Sequence, residues 1–140
     1  MLCQKILIAV DGSENARRAA DHAAGIAKLS GGEVLLVHCH RPFPEYLGEP
    51  YLQNVVNKTL KSAQEIVRPS EELFEGAGIR YSTRILEGPA RDKICDVARI
   101  EECDLIVMGS RGRTDFEGLV LGSVAHRVLH STPCPVLIVR

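Results

Sequence analysis

Apolar residues along this chain arrive in short β-branched runs, separated by longer stretches in which they recur every three or four positions. That alternation predicts βαβ units feeding a parallel sheet. Five strands are expected, over Lys5–Val10, Glu33–Cys39, Ile79–Leu86, Asp104–Gly109 and Val136–Val139. The first, second, fourth and fifth are nearly continuous apolar runs, the pattern of strands covered by helices on both faces. The third alternates, with Ile79, Tyr81, Thr83 and Ile85 on one side, which suits the edge of a sheet.

Between the first two strands, Ala16, Ala19, Ala20, Ala23, Ala24 and Ala27 recur at helical spacing with charges between them, predicting a helix over Glu14–Leu29. Small side chains let such a helix lie close on the sheet. Ser13 is placed to cap it, Glu14 suits the positive end of its dipole, and Gly31-Gly32 ends it. Three prolines between Arg41 and Pro50 predict a loop without regular structure, of a size for a lid. A helix follows from near Gln53 to about Glu75, kinked or split at Pro69, where the backbone lacks a donor. A third helix follows Pro89 and runs to about Glu102, and a fourth lies between Leu121 and His130, stopping before Pro133 and Pro135. With no repeat or internal boundary, the 140 residues read as one domain: a single-domain α/β open parallel five-stranded sheet with helices on both faces.

Composition narrows the class of function. Apolar residues make up 45% and charged residues 25%, which is ordinary for a chain that folds on its own core. Seventeen Lys and Arg against eighteen Asp and Glu leave a net charge of -1, with no basic block to follow a nucleic-acid backbone. No apolar run approaches the length that spans a bilayer, and the strand-like start leaves no room for a signal peptide, so a cytoplasmic protein without nucleic-acid or membrane partners is expected. The five cysteines are scattered and never form C-x-x-C, the pattern of free thiols in a reducing compartment.

In an open parallel sheet, ligands bind beyond the carboxyl ends of the strands where the winding reverses. The fold class supplies an expected order 3-2-1-4-5, which places that point between the first and fourth strands. The loops leaving them are Asp11-Gly12-Ser13 and Gly109-Ser110-Arg111-Gly112. Glycines at 109 and 112 allow close backbone approach, and amides of such a turn converge on an anion. Gly122-Ser123 then opens a helix whose free N–H groups favour a phosphate, with Arg111 or Arg113 to offset its charge. The plainer reading is a tight turn and a helix cap. No lysine precedes Ser123 as in a P-loop, and the segment follows the fourth strand, unlike a dinucleotide-binding fingerprint. Asp11 has two compatible readings, contact with a nucleoside or a divalent ion beside the phosphates, and capping of the first helix. The pairs His38/His40 and His126/His130 lack an evident third metal ligand, and no residue is assigned a catalytic role.

Three stretches, Lys5–Ser13, Asp104–Gly112 and Gly122–Ala125 leading into Cys134–Val139, carry a resemblance across essentially the whole chain. It resembles a universal stress protein domain of the ATP-binding type, most specifically through Gly-x2-Gly-x9-Gly-Ser/Thr, met by Gly109, Gly112, Gly122 and Ser123. The resemblance implies an adenine nucleotide alpha hydrolase-like fold with ATP at the switch point. Its phosphates would lie on Gly112, Gly122, Ser123 and Val124, with Mg2+ or Mn2+ held through them. Gly109 would lie near the ribose, Ala9 and Asp11 on the nucleoside side and Cys39 beside adenine; Ala9 replaces the proline of some relatives, so its contact would be through backbone. It also implies a homodimer through Val136–Val139, whose apolar edge invites pairing. The expected function is a nucleotide-dependent regulatory or stress-response module with a protein partner still to be named. The alternatives are a slow ATPase or phosphotransfer enzyme, and a dimeric interaction module indifferent to nucleotide.

Overall fold

A computed structural model describes residues 2–140. In chain order it contains β1 (Lys5–Ala9), α1 (Glu14–Ser30), β2 (Glu33–His40), a 3-10 turn (Glu45–Leu47), α2 (Tyr51–Gly76), β3 (Tyr81–Glu87), α3 (Ala90–Ile100), β4 (Leu105–Gly109), α4 (Ser123–Ser131) and β5 (Val136–Val139). The strands form one sheet in the order β3-β2-β1-β4-β5, and every pairing is parallel. The expected 3-2-1-4-5 order is the observed one, with the alternating strand at an edge.

Successive strand residues point to opposite faces, and here both faces are covered. Ile6 and Ile8 pack with Val34, Leu36 and Val107 against the alanines of α1 and against Val67 and Phe74 of α2. Leu7 packs on the other side with Leu35, Val37 and Ile106, against Ile94 of α3 and Val128 of α4. Two apolar half-cores sharing one sheet therefore require apolar residues at successive positions through the middle of β1, β2 and β4. The Ser13 hydroxyl accepts the Ala16 amide at 3.1 Å and starts α1. Gly31 ends it with a φ of 73°, its amide reaching the Ala27 carbonyl at 2.9 Å.

Several boundaries differ from the sequence expectation. Pro69 does not split α2, which runs for 26 residues. Pro69 and Glu65, whose carbonyl loses its donor, both lie on the exposed side, where water substitutes. Meanwhile Ala63, Val67 and Phe74 anchor the helix on either side of the proline. β3 starts at Tyr81 because the Ile79 amide is drawn back to the Phe74 carbonyl at 2.9 Å, with Gly78 at a φ of 70° donating to Glu75 at 3.1 Å. α3 stops at Ile100 for a similar reason: Glu102 adopts a φ of 56° and the Cys103 amide returns to Ala98 at 2.9 Å. The proline-rich 41–50 segment holds a single 3-10 turn, closed by the Leu47 amide on the Pro44 carbonyl at 3.0 Å. All five cysteines are free thiols, and no helix among the described residues is long and apolar enough to cross a membrane.

Restoring the missing donor in α2 should strengthen it. Pro69→Ala is expected to raise unfolding free energy by about 1–3 kcal/mol in urea titrations. An unchanged or lower midpoint would show that the proline's rigidity outweighs the lost hydrogen bond.

Candidate functional site

β1 and β4 lie side by side, but the chain leaves β1 for α1 on one face of the sheet and leaves β4 for α4 on the other. The two loops part above the strand ends and leave an open cleft between them. Its floor is apolar, formed by Val37, Ile94, Met108 and Ala125, while Asp11, Ser13 and Ser110 bring polar groups to the rim.

Of the nine residues singled out in the sequence, Ala9, Asp11, Cys39, Gly109, Arg111, Gly112 and Val124 line this cleft. Gly122 and Ser123 do not. Gly122 is buried beside it, its amide donating to the Ser110 carbonyl at 2.5 Å, and Ser123 is exposed as the first residue of α4. The helix-cap reading of Ser123 is corrected here. Gly122 holds the N-cap position, and no side chain caps the helix.

Asp11 bridges the two loops. One carboxylate oxygen accepts the Ser13 amide and the other the Arg113 amide, both at 2.9 Å. The helix cap itself is Ser13, so Asp11 organises the turn before α1 instead of capping it. Across the cleft, an Asp115 oxygen accepts the Gly112 amide at 2.6 Å. The glycines are dictated by crowding: a Cβ on Gly109 would stand 2.8 Å from the Cβ of Asn15 in α1, and one on Gly122 would overlap the Asp115 carboxylate. Arg111 turns its guanidinium onto the Glu117 carbonyl, and Arg113 lays an Nη1 3.5 Å from where a Cβ on Gly12 would be.

His38 is buried, with Nδ1 2.8 Å from the Val10 carbonyl, while His40 contacts the Arg41 carbonyl at 2.8 Å and packs on Phe43. Each ring thus has a backbone partner of its own. No residue of the 41–50 loop lines the cleft.

The model of the universal stress protein family matches residues 3–140. This chain belongs to the universal stress protein family. A universal stress protein of Thermus aquaticus is 40% identical over 96% of this chain and 97% of its own length. The solved structure of the hypothetical protein MJ0577 superposes with a TM-score of 0.89 at 29% identity, covering 99% of this chain and 96% of the other. Other solved relatives carry nucleotides. A universal stress protein in complex with cAMP is 26% identical with a TM-score of 0.77, covering 98% of this chain and 97% of that one. One from Archaeoglobus fulgidus in complex with dAMP is 26% identical with a TM-score of 0.63 over the whole of both chains.

Two polar residues of this universal stress protein, Asn15 and Asp115, escape the sequence pattern, and Ser110 is legible there only as part of the loop after β4. Asn15 and Ser110 are both buried and joined by a 3.2 Å hydrogen bond that ties α1 to the loop after β4. An asparagine within an otherwise alanine-rich buried stripe is the signal that marks the first. Asp115 follows Gly112 by three residues, the spacing of a side chain returning to a turn amide.

Cys39 gives the cleft a measurable titration. Burial disfavours its thiolate and pushes the thiol from the ordinary 9.0 up to about 11, against the pull of Lys93. The folded state therefore holds this proton more tightly than the unfolded chain. Its contribution to stability is complete below pH 9 and is lost as pH rises towards 11. Iodoacetamide labelling of Cys39, followed by mass spectrometry, should be slow at pH 8 and climb about tenfold per pH unit until the thiolate dominates. Labelling at pH 8 as fast as that of free cysteine would mean that the thiol is not enclosed.

Proposed function

We propose that this universal stress protein is a homodimeric nucleotide-binding module that holds ATP in the β1/β4 cleft and uses it to bias conformation or the choice of a protein partner. The observation that carries this reading is the pair of loop amides, Gly112 and Arg113, that hold carboxylate oxygens at 2.6 and 2.9 Å. Amides arranged to hold a carboxylate suit a phosphate by the same hydrogen bonds. The nucleotide-bound relatives support the same class of ligand.

In this reading the apolar end beside Ala9, Val37 and Cys39 takes the base, and Gly109 and Asp11 flank the ribose. Gly112, Gly122, Ser123 and Val124 receive the phosphates at the start of α4, and Arg111 reaches them once it leaves the Glu117 carbonyl. A divalent ion bound through the phosphates would find the Asp11 carboxylate beside Gly112. The module senses nucleotide and does not turn it over. Asp11, the only carboxylate lining the cleft among the described residues, already accepts two amides and is poorly placed to act as a general base.

Purified protein should release an adenine nucleotide on denaturation, identified by mass spectrometry. Added ATP at a hundred times its dissociation constant should stabilise it by about 2.7 kcal/mol in thermal unfolding. Ser123→Arg, which blocks the phosphate end, should abolish both effects. Neither retained nucleotide nor any shift with ATP, ADP or AMP would remove the basis of this reading.

The dimer is assigned to β5. Its inner side is committed to β4, with Pro135 and Val139 carbonyls accepting from Ile106 and Ser110 at 3.0 and 2.7 Å. Parallel ladders alternate, so Val136 and Ile138 direct their backbone groups outward. Ile138→Pro removes one outward donor and leaves the β4 pairing in place. Sedimentation should show a dimer for wild type and a monomer for this variant; equal masses would place the interface elsewhere.

A further inference from the structure

The phosphate cradle is filled from within the chain. Asp115 takes the Gly112 amide at 2.6 Å and covers Gly122, so that a Cβ there would have to displace its carboxylate. A Cβ on Gly112 would lie 3.0 Å from an Asp11 oxygen and 3.4 Å from an Asp115 oxygen, so two carboxylates converge on this glycine. The nearby Arg111 does not offset them, because its guanidinium is turned onto the Glu117 carbonyl. The open cleft reaches Gly112 and Val124, and neither Gly122, against which Asp115 packs, nor Ser123 lines it.

We infer that Asp115 sets how many phosphates the cleft accepts, its carboxylate holding the place of the distal phosphates until a polyphosphate tail displaces it. This rests on the nucleotide reading above. A nucleoside monophosphate ends near Gly112 and carries little charge towards Gly122. Each further phosphate brings negative charge against Asp115 and Asp11 in a partly enclosed site, where repulsion is stronger than in water. Polyphosphate therefore enters by exchange: the Gly112 amide passes from a carboxylate to a phosphate oxygen, and Asp115 leaves with the 113–121 segment. A divalent ion on the tail lowers its charge and weakens the discrimination. The solved relatives with cAMP and dAMP hold ligands that each bear one phosphate.

Calorimetric titration of AMP and ATP against wild type, Asp115→Ala and Asp115→Asn, with EDTA and then with Mg2+, tests the assignment. In EDTA the ratio of the two dissociation constants should move towards ATP by about tenfold in both variants, about 1.4 kcal/mol. Mg2+ should shrink that difference. Asp115→Asn keeps the shape and an acceptor for Gly112, so it isolates charge and decides the matter if melting curves show that the alanine variant is misfolded. If both nucleotides bind and the ratio stays at its wild-type value, Asp115 has no such role and the nucleotide reading stands. Weaker ATP binding in the variants would make Asp115 a holder of the tail and overturn the inference. No binding of either nucleotide to any of the three proteins overturns the nucleotide reading, and this inference with it.

Discussion

Two adjacent parallel strands whose chains leave in opposite directions cannot close over their own ends. β1 turns to α1 on one face and β4 turns to α4 on the other, so the space above their carboxyl ends is bounded by loops and not filled by a helix. The fold elsewhere is densely covered, with two apolar half-cores on a single sheet. The cleft leaves part of one half-core, at Val37, Ile94, Met108 and Ala125, as its apolar floor, and the polar groups around it are those that the turns use.

The same opening raises a problem of satisfaction. Loops that approach each other across a cleft expose amides that helices and sheets do not use, and partly buried amides left unpaired are costly. Asp11 and Asp115 answer this by supplying carboxylates, one tying the β1 loop to Arg113 and the other returning to Gly112 within its own loop. A site satisfied by its own acidic side chains differs from an empty anion hole. A ligand phosphate gains only the difference between its hydrogen bonds and those it replaces.

Close packing fixes where these loops sit. The alanines of α1 let that helix approach the sheet, and at Gly109 the helix backbone comes so near that a side chain would collide with Asn15. The Asn15 to Ser110 hydrogen bond locks the same contact, and the Ser110 amide pairs with Val139 at 2.7 Å. The end of β4 is thus held by α1 on one side and by β5 on the other. An edge strand proposed as a subunit interface is one hydrogen bond away from the loop that carries the glycines, which gives ligand and partner a physical route to sense each other.

Local pattern determined the five strands, the sheet's double coverage, the alanine helix with its Ser13 cap and Gly31 stop, and the glycine loop after β4. Each of these depends on residues within a turn or a strand of one another, or on a periodicity that the chain displays directly. Boundaries were less legible where the chain folds back on itself: Ile79 reads as the start of a strand and Glu102 as the end of a helix, but the Ile79 and Cys103 amides return to the preceding helix. Pro69 leaves α2 unsplit, because the outcome depends on whether solvent can reach the carbonyl it orphans. Tertiary structure alone decided that Asp11 pairs with Arg113, 102 positions away, and that Asn15 meets Ser110. Such pairings follow from which strands become neighbours and how closely a helix lies on them, and no spacing along the chain encodes those distances.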